Sequence, residues 1–239
     1  MISLQNVSKL YESQSVLKNV SFNVNKGELV YITGQSGAGK TTLLKMIYLA
    51  EWPDEGEMTI GDFHLSFWDS KLGWEVSKSD ISQCKPFKIS DIPYLRRDIG
   101  IVFQDFKLLP NRTIFENIAL ALRVRGEKDS EIKAMVSEAL KRVHLRHKAD
   151  SYPRTLSGGE QQRIAIARAI VTKPQIILAD EPTGNLDWDT ASGIWRLFAE
   201  INLSGCTMLV ATHNKEVFTN SGKRVFSLDS GELVSEVVG

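Results

Sequence analysis

The chain has 239 residues, 42% of them hydrophobic and 24% charged, which fits one folded domain with a sizeable core. Its 29 basic and 29 acidic residues cancel, so no nucleic acid is expected as a partner, because non-specific binding needs a basic surface. The start, Met1-Ile-Ser-Leu-Gln-Asn-Val7, lacks the basic-then-apolar order of a signal peptide, and no apolar run approaches a membrane span, so any membrane role would need another chain to cross the bilayer.

Residues 2–33 read as strands. Ser15–Val24 alternates in the β manner, Asn25-Lys-Gly27 supplies a turn, and Leu29-Val-Tyr-Ile-Thr33 is short, apolar and β-branched, which predicts a buried strand. A helix is expected from about Lys40 to no further than Trp52-Pro53, since proline disfavours helix in the residue before it. Residues 62–93 fit no simple pattern and carry Phe63, Phe67, Trp68, Trp74 and Phe87 among mixed charges. This is too aromatic for a plain disordered linker. Asp98–Phe103 then reads as a strand, and residues 113–150 as helical, with Thr113-Ile-Phe-Glu116 spaced as a capping box. A second helix is expected over Ser130–Val143. A third opens at Ser157-Gly-Gly-Glu160, again with box spacing, and runs through Ile170. Ile176–Asp180 predicts a buried strand ending in a carboxylate, 191–201 a helix, and 207–212 a strand. Residues 224–237 read as a closing hairpin around Asp229-Ser-Gly231. Alternating strands and helices imply an α/β fold, and the helices at 113–170 imply a helical subdomain set into it. Cys84 and Cys206 show no metal-ligand spacing, so two free thiols in a reducing compartment are expected.

Three stretches carry chemistry. Gly34-Gln35-Ser36-Gly37-Ala38-Gly39-Lys40-Thr41 matches the phosphate-binding pattern G-x-x-x-x-G-K-[ST] in full. Glycines let backbone amides turn towards phosphate oxygens, and the helix that follows adds its positive end. Lys40 can neutralise β- and γ-phosphates, and the Thr41 hydroxyl can ligate Mg2+. Asp180 and Glu181 end an apolar strand. The first carboxylate is suited to holding Mg2+, the second to polarising an attacking water. Taken alone, such a pair could simply cap a strand, but the complete phosphate loop upstream favours catalysis. Leu156-Ser157-Gly158-Gly159-Glu160 offers a hydroxyl and amides at a helix start, a second anion site on the same chain. A symmetric dimer explains two such sites, each protomer's second site covering the phosphate held by the other. An ordinary capped helix would account for Ser157 and Glu160 but not for the glycine pair.

Phosphate loop and Leu156–Glu160 together, in this order, resemble the ATPase subunits of ATP-binding-cassette (ABC) systems, and the resemblance covers nearly the whole chain. It implies a P-loop NTPase core with an N-terminal antiparallel β layer and an inserted helical subdomain over about 105–165, all within a single domain of residues 1–239. It implies ATP as the ligand, hydrolysed with Mg2+, and Thr42 within the phosphate loop. Tyr11 matches the aromatic that stacks on adenine, worth about 1–3 kcal/mol per base. Gln104 resembles the glutamine that touches Mg2+ and senses a membrane partner. Asn185-Leu-Asp187 resembles the loop that communicates between two sites, and His213 the histidine that contacts the γ-phosphate. The resemblance implies a homodimer with ATP sandwiched at the interface, held peripherally at the cytoplasmic face of the inner (plasma) membrane by an integral membrane subunit. Leu95–Pro110, Arg196–Asn202 and Val210–Asn214 are most similar to the FtsE-type branch, whose membrane partner is FtsX-like and whose output is control of cell-wall hydrolysis during division. Leu178–Asp187 is similar also to lipoprotein-releasing and MacB-type export ATPases. The stretch between the phosphate loop and Gln104 is longer than is usual in FtsE-like chains, the excess lying within 62–93. It reads as an enlarged surface loop or as a docking surface for a partner.

Overall fold

The computed structural model describes residues 1–12, 14–67, 85–86 and 88–239. In chain order the strands and helices are β1 (Ile2–Tyr11), β2 (Gln14–Val24), β3 (Leu29–Thr33), α1 (Lys40–Ile47), β4 (Glu55–Ile60), β5 (Phe63–Phe67), β6 (Lys85–Pro86), α2 (Ile92–Arg97), β7 (Ile99–Val102), α3 (Ile114–Arg125), α4 (Asp129–Arg142), α5 (Gly158–Ile170), β8 (Ile176–Asp180), α6 (Trp188–Leu203), β9 (Thr207–Ala211), α7 (Lys215–Phe218), β10 (Arg224–Asp229) and β11 (Glu232–Val238). Two compact units form: Met1–Arg96 with Thr207–Gly239, and Arg97–Cys206.

The first unit holds an antiparallel layer ordered β2-β1-β4-β5, with β6 added in parallel at its edge. Ile2, Leu4 and Val7 of β1 and Leu17, Val20 and Val24 of β2 are buried, so the sequence alternation turns one face of the layer inward. The same unit holds β11-β10-β3-β9, in which β3 runs parallel to both of its neighbours. A strand covered on both faces carries a continuous apolar run, and Leu29–Ile32 are all buried. Phe22 of β2 meets Phe226 of β10 at a ring-centroid distance of 4.8 Å.

In this unit α1 ends within its expected limit, and one expectation changes. Helix α1 stops at Ile47, well short of Pro53, because Leu49 takes a left-handed backbone (φ 58°) and the chain turns there. Arg96 donates to the freed carbonyls of Tyr48 (3.0 Å) and Leu49 (2.7 Å). Part of the patternless stretch 62–93 is a strand: β5 pairs with β4 across a turn at Gly61, and His64 is buried between Thr59 Oγ1 (3.1 Å) and Ser66 Oγ (3.3 Å). Phe67 is buried, its ring 6.2 Å from that of Trp52. Trp68, Trp74, Cys84 and Phe87 lie outside the described residues.

The second unit is built on β7 and β8, a parallel pair with Val102 opposite Ala179, and on α3, α4, α5 and α6. A Cβ on Gly100 would stand 2.5 Å from the Ala169 carbonyl, so the missing side chain lets α5 seat against β7. The Thr113 box forms as its spacing predicts: Thr113 N donates to Glu116 Oε2 (2.8 Å) and Glu116 N to Thr113 Oγ1 (3.2 Å). Helix α6 begins at Trp188, three residues before the expected start, with Asp187 as its N-cap. Cys206 is buried beside the Pro174 carbonyl, and burial pushes its thiol up to about 11, which makes it unreactive.

Candidate nucleotide site

In the first unit the phosphate loop leaves β3 and enters α1. A Cβ on Gly34 would lie 2.2 Å from the Leu228 carbonyl, and one on Gly39 (φ 102°) would lie 2.8 Å from Leu17 Cδ2. These two glycines are therefore demanded by packing as well as by the turn. Gly37 has nothing within 4 Å of its Cβ position and leaves the loop open on that side. Lys40 is buried, its Nζ donating to Gly34 O (2.7 Å) and Gln35 O (3.0 Å), so the ammonium is held over the loop by the loop's own carbonyls. Thr41 and Thr42 follow in the first turn of α1, where helical amides have no intrahelical acceptor.

Tyr11 ends β1 with Thr42 and Glu51 near its hydroxyl. Burial and, next, the Glu51 carboxylate raise its phenol pKa, while Thr42 lowers it. The Lys9 ammonium sits 5.3 Å from the ring centroid. Tyr11 thus stands near Thr42, just past the phosphate loop. His213 follows β9, and Thr212 N donates to Ile32 O (2.9 Å), which brings the exposed His213 next to the end of β3 where the loop starts. Tyr11, residues 34–42 and His213 are therefore gathered in one unit.

The second unit gathers the rest. Asp180 ends β8, and Gln104 comes two residues after Val102 on the neighbouring β7. Glu181 has φ 44°, a left-handed backbone that costs a non-glycine residue about 1–2 kcal/mol and turns the chain sharply after Asp180. The turn closes through Gly184 N to Glu181 O at 3.1 Å. Gln104 Nε2 lies 3.2 Å from where a Gly184 Cβ would be, and Asn185 Nδ2 donates to Gln104 O at 3.3 Å. Asp187 accepts from Thr190 N (3.0 Å) and Thr190 Oγ1 (2.8 Å), and the backbone bond from Thr190 holds its carboxyl below the usual range.

Ser157 and Glu160 form the second box: Ser157 N donates to Glu160 Oε2 (2.8 Å), and Glu160 N to Ser157 Oγ (3.3 Å). That backbone bond, aided by Lys148 at 3.2 Å, holds the Glu160 carboxyl low. The glycine pair also has a packing reason that the sequence did not disclose. A Cβ on Gly158 would touch Leu186 at 3.4 Å, and one on Gly159 would collide with Thr190 Cγ2 at 2.3 Å.

Sequence reasoning missed two residues that shape this half. Asn117 is almost wholly buried. It accepts from Leu109 N (2.7 Å) and donates to the carbonyls of Leu109, Arg112 and Thr113, so it fixes the path from Leu109 into α3. Arg168, on α5, donates to Lys107 O (2.6 Å) and Phe106 O (2.8 Å). Neither belongs to a short motif, and their partners lie up to 62 residues away. Thr41 offers a hydroxyl in the first unit, and Gln104 and Asp180 an amide oxygen and a carboxylate in the second, each an oxygen donor of the kind Mg2+ takes.

Comparison with known proteins shows the family. The ABC transporter family model matches residues 17–184. The chain belongs to the ABC transporter family. FtsE of Bacillus subtilis (strain 168), the cell division ATP-binding protein, is 45% identical over 237 residues, covering 99% of this chain and 96% of that protein. A dimeric structure of MJ0796, a bacterial ABC transporter cassette, superposes with a TM-score of 0.82 at 37% identity over 100% of this chain and 98% of that one. A post-hydrolysis dimer of the same cassette bound to ADP and Pi gives 0.82 at 36%, again over 100% and 98%. This ABC protein is accordingly an ATP-binding ATPase with the cassette fold. No helix among its described residues is long and apolar enough to cross a membrane.

Proposed function

We propose that this ATPase is the FtsE-type subunit of a membrane complex, working as a homodimer on an FtsX-like integral membrane partner to control cell-wall hydrolysis during division. Near-full-length similarity to FtsE carries the reading. The chain is then a single cassette domain, held peripherally at the cytoplasmic face of the inner membrane by that partner. Two ATP molecules lie between facing protomers, each phosphate loop opposite the other protomer's Ser157-Gly158-Gly159-Glu160.

In this reading Lys40 and the amides of residues 34–42 grip the phosphates, and Tyr11 stacks on the base. Thr41, Gln104 and Asp180 would hold Mg2+, which would supply positive charge against the phosphates. Glu181 orients a water for in-line attack on the γ-phosphate and draws off its proton. His213 holds the γ-phosphate, and Asp187 couples the two sites. Loss of the γ-phosphate removes the bridge between protomers. The resulting opening passes through the Gln104 segment to the membrane subunit.

Affinity capture tests this. The Glu181→Gln protein, loaded with ATP and mixed with gently solubilised membranes, should retain a polytopic FtsX-like protein together with division or wall-remodelling components. Recovery of a permease with lipoprotein carriers or efflux components would replace the division role with export. Recovery of no membrane protein would end the membrane-coupled reading.

A further inference from the structure

The segment after Gln104 is unusual in its backbone. Phe106 (φ 59°) and Lys107 (φ 49°) are consecutive non-glycine residues in the left-handed region. Such residues persist only when their surroundings hold them there. The segment is fastened at three places. Asn185 grips the Gln104 carbonyl, Asn117 grips Leu109, and between them Arg168 donates to both strained residues, to Lys107 O at 2.6 Å and Phe106 O at 2.8 Å. Arg168 is the charged member of this set. Its guanidinium is shifted by burial alone, and it is spent on two carbonyls. Its planar fork presents one N–H nitrogen to each of the two adjacent acceptors, in a fixed geometry. It also stands on α5, the helix that begins beside Ser157, so one rigid element carries both the anion-site turn and this clamp.

We propose that Arg168 is a positioning residue for ATP hydrolysis: it holds Phe106 and Lys107 in their left-handed turn, thereby sets the place of the Gln104 amide, and ties that segment to α5. The inference rests on the reading that Gln104 serves the nucleotide-bound metal. In chemical terms Arg168 touches neither nucleotide nor metal. It limits where Gln104 goes.

The test is a mutant cycle on the full chain. Steady-state hydrolysis is followed against Mg2+ concentration, with ATP binding and thermal unfolding measured in parallel. Arg168→Met should lower kcat about tenfold and raise the half-saturating Mg2+ concentration, with ATP affinity within about twofold of wild type. Arg168→Lys, which keeps the charge but lacks the rigid planar fork, should fall between. Lys107→Gly alone should leave hydrolysis within about twofold, since glycine takes a positive φ without strain. In the Arg168→Met background it should restore about threefold or more, because the turn then needs less holding. A purely structural arginine would shift the unfolding temperature and leave the Mg2+ dependence where it was. Unchanged kcat and Mg2+ dependence in Arg168→Met, or no recovery on adding Lys107→Gly, overturns the proposal. Should Arg168→Met fail to fold, Arg168→Lys decides by the same two readouts. Gln104→Ala separates the two ideas. If it leaves the Mg2+ dependence untouched, the metal reading of Gln104 fails, and the kcat cycle still judges Arg168.

Discussion

Thr190 occupies the space that a side chain on Gly159 would need. An ideal Cβ on Gly159 would stand 2.3 Å from Thr190 Cγ2, while Thr190 Oγ1 donates to Asp187 Oδ2 at 2.8 Å. One threonine thus packs its methyl on the α5 start and spends its hydroxyl on the α6 cap.

That division of labour predicts a specific rescue. Gly159→Ala should cost about 1–3 kcal/mol of stability through overpacking and lower ATP turnover. Adding Thr190→Ser removes the colliding methyl but keeps the hydroxyl for Asp187, so unfolding temperature and turnover should both move back towards wild type. Failure of the pair to recover either quantity would show that the collision is not the cause.

Glu181 is proposed to activate the attacking water. Glu181→Gln keeps side-chain volume and the left-handed backbone but removes the base. Turnover should fall by about 10²–10⁴-fold while ATP binding, measured by equilibrium dialysis, persists. Turnover near wild type would remove Glu181 from that role.

Asn117 carries four hydrogen bonds in a nearly solvent-free position. Asn117→Leu has a similar volume and none of those bonds, and it strands the Leu109 amide. It should destabilise the fold by roughly 2–4 kcal/mol in urea denaturation, since unpaired buried polar groups cost about 1–3 kcal/mol each. A midpoint matching wild type would mean that the loop closes on its own.

The two capping boxes predict acid sensitivity. Backbone bonds from Thr113 and Ser157 depress the Glu116 and Glu160 carboxyls below their unfolded values. A carboxyl depressed on folding stabilises above its unfolded pKa, about 4.3, and that contribution disappears as pH falls through the lower folded value. Between pH 5 and about 3 the wild-type unfolding temperature should therefore drop more than that of Glu116→Gln/Glu160→Gln. Parallel curves would show that the boxes bring no proton linkage.

What the sequence determined by itself was local. β3, the phosphate loop and the start of α1 follow from an apolar run, glycine spacing and helix polarity. The Thr113 and Ser157 boxes follow from contacts three residues apart. Backbone choices at single residues were less visible: Leu49 ends α1 short of Pro53, and Asp187 starts α6 three residues before its periodicity is evident. The tertiary structure alone decided that Gly159 must be small for Thr190, that Asn117 closes the Leu109 turn, and that Arg168 reaches Phe106 from 62 residues away. Such contacts have no period and no fixed spacing. They exist because packing α5 on β7 brings distant backbone groups within hydrogen-bond range, where each must find a partner or bear the cost of burial without one.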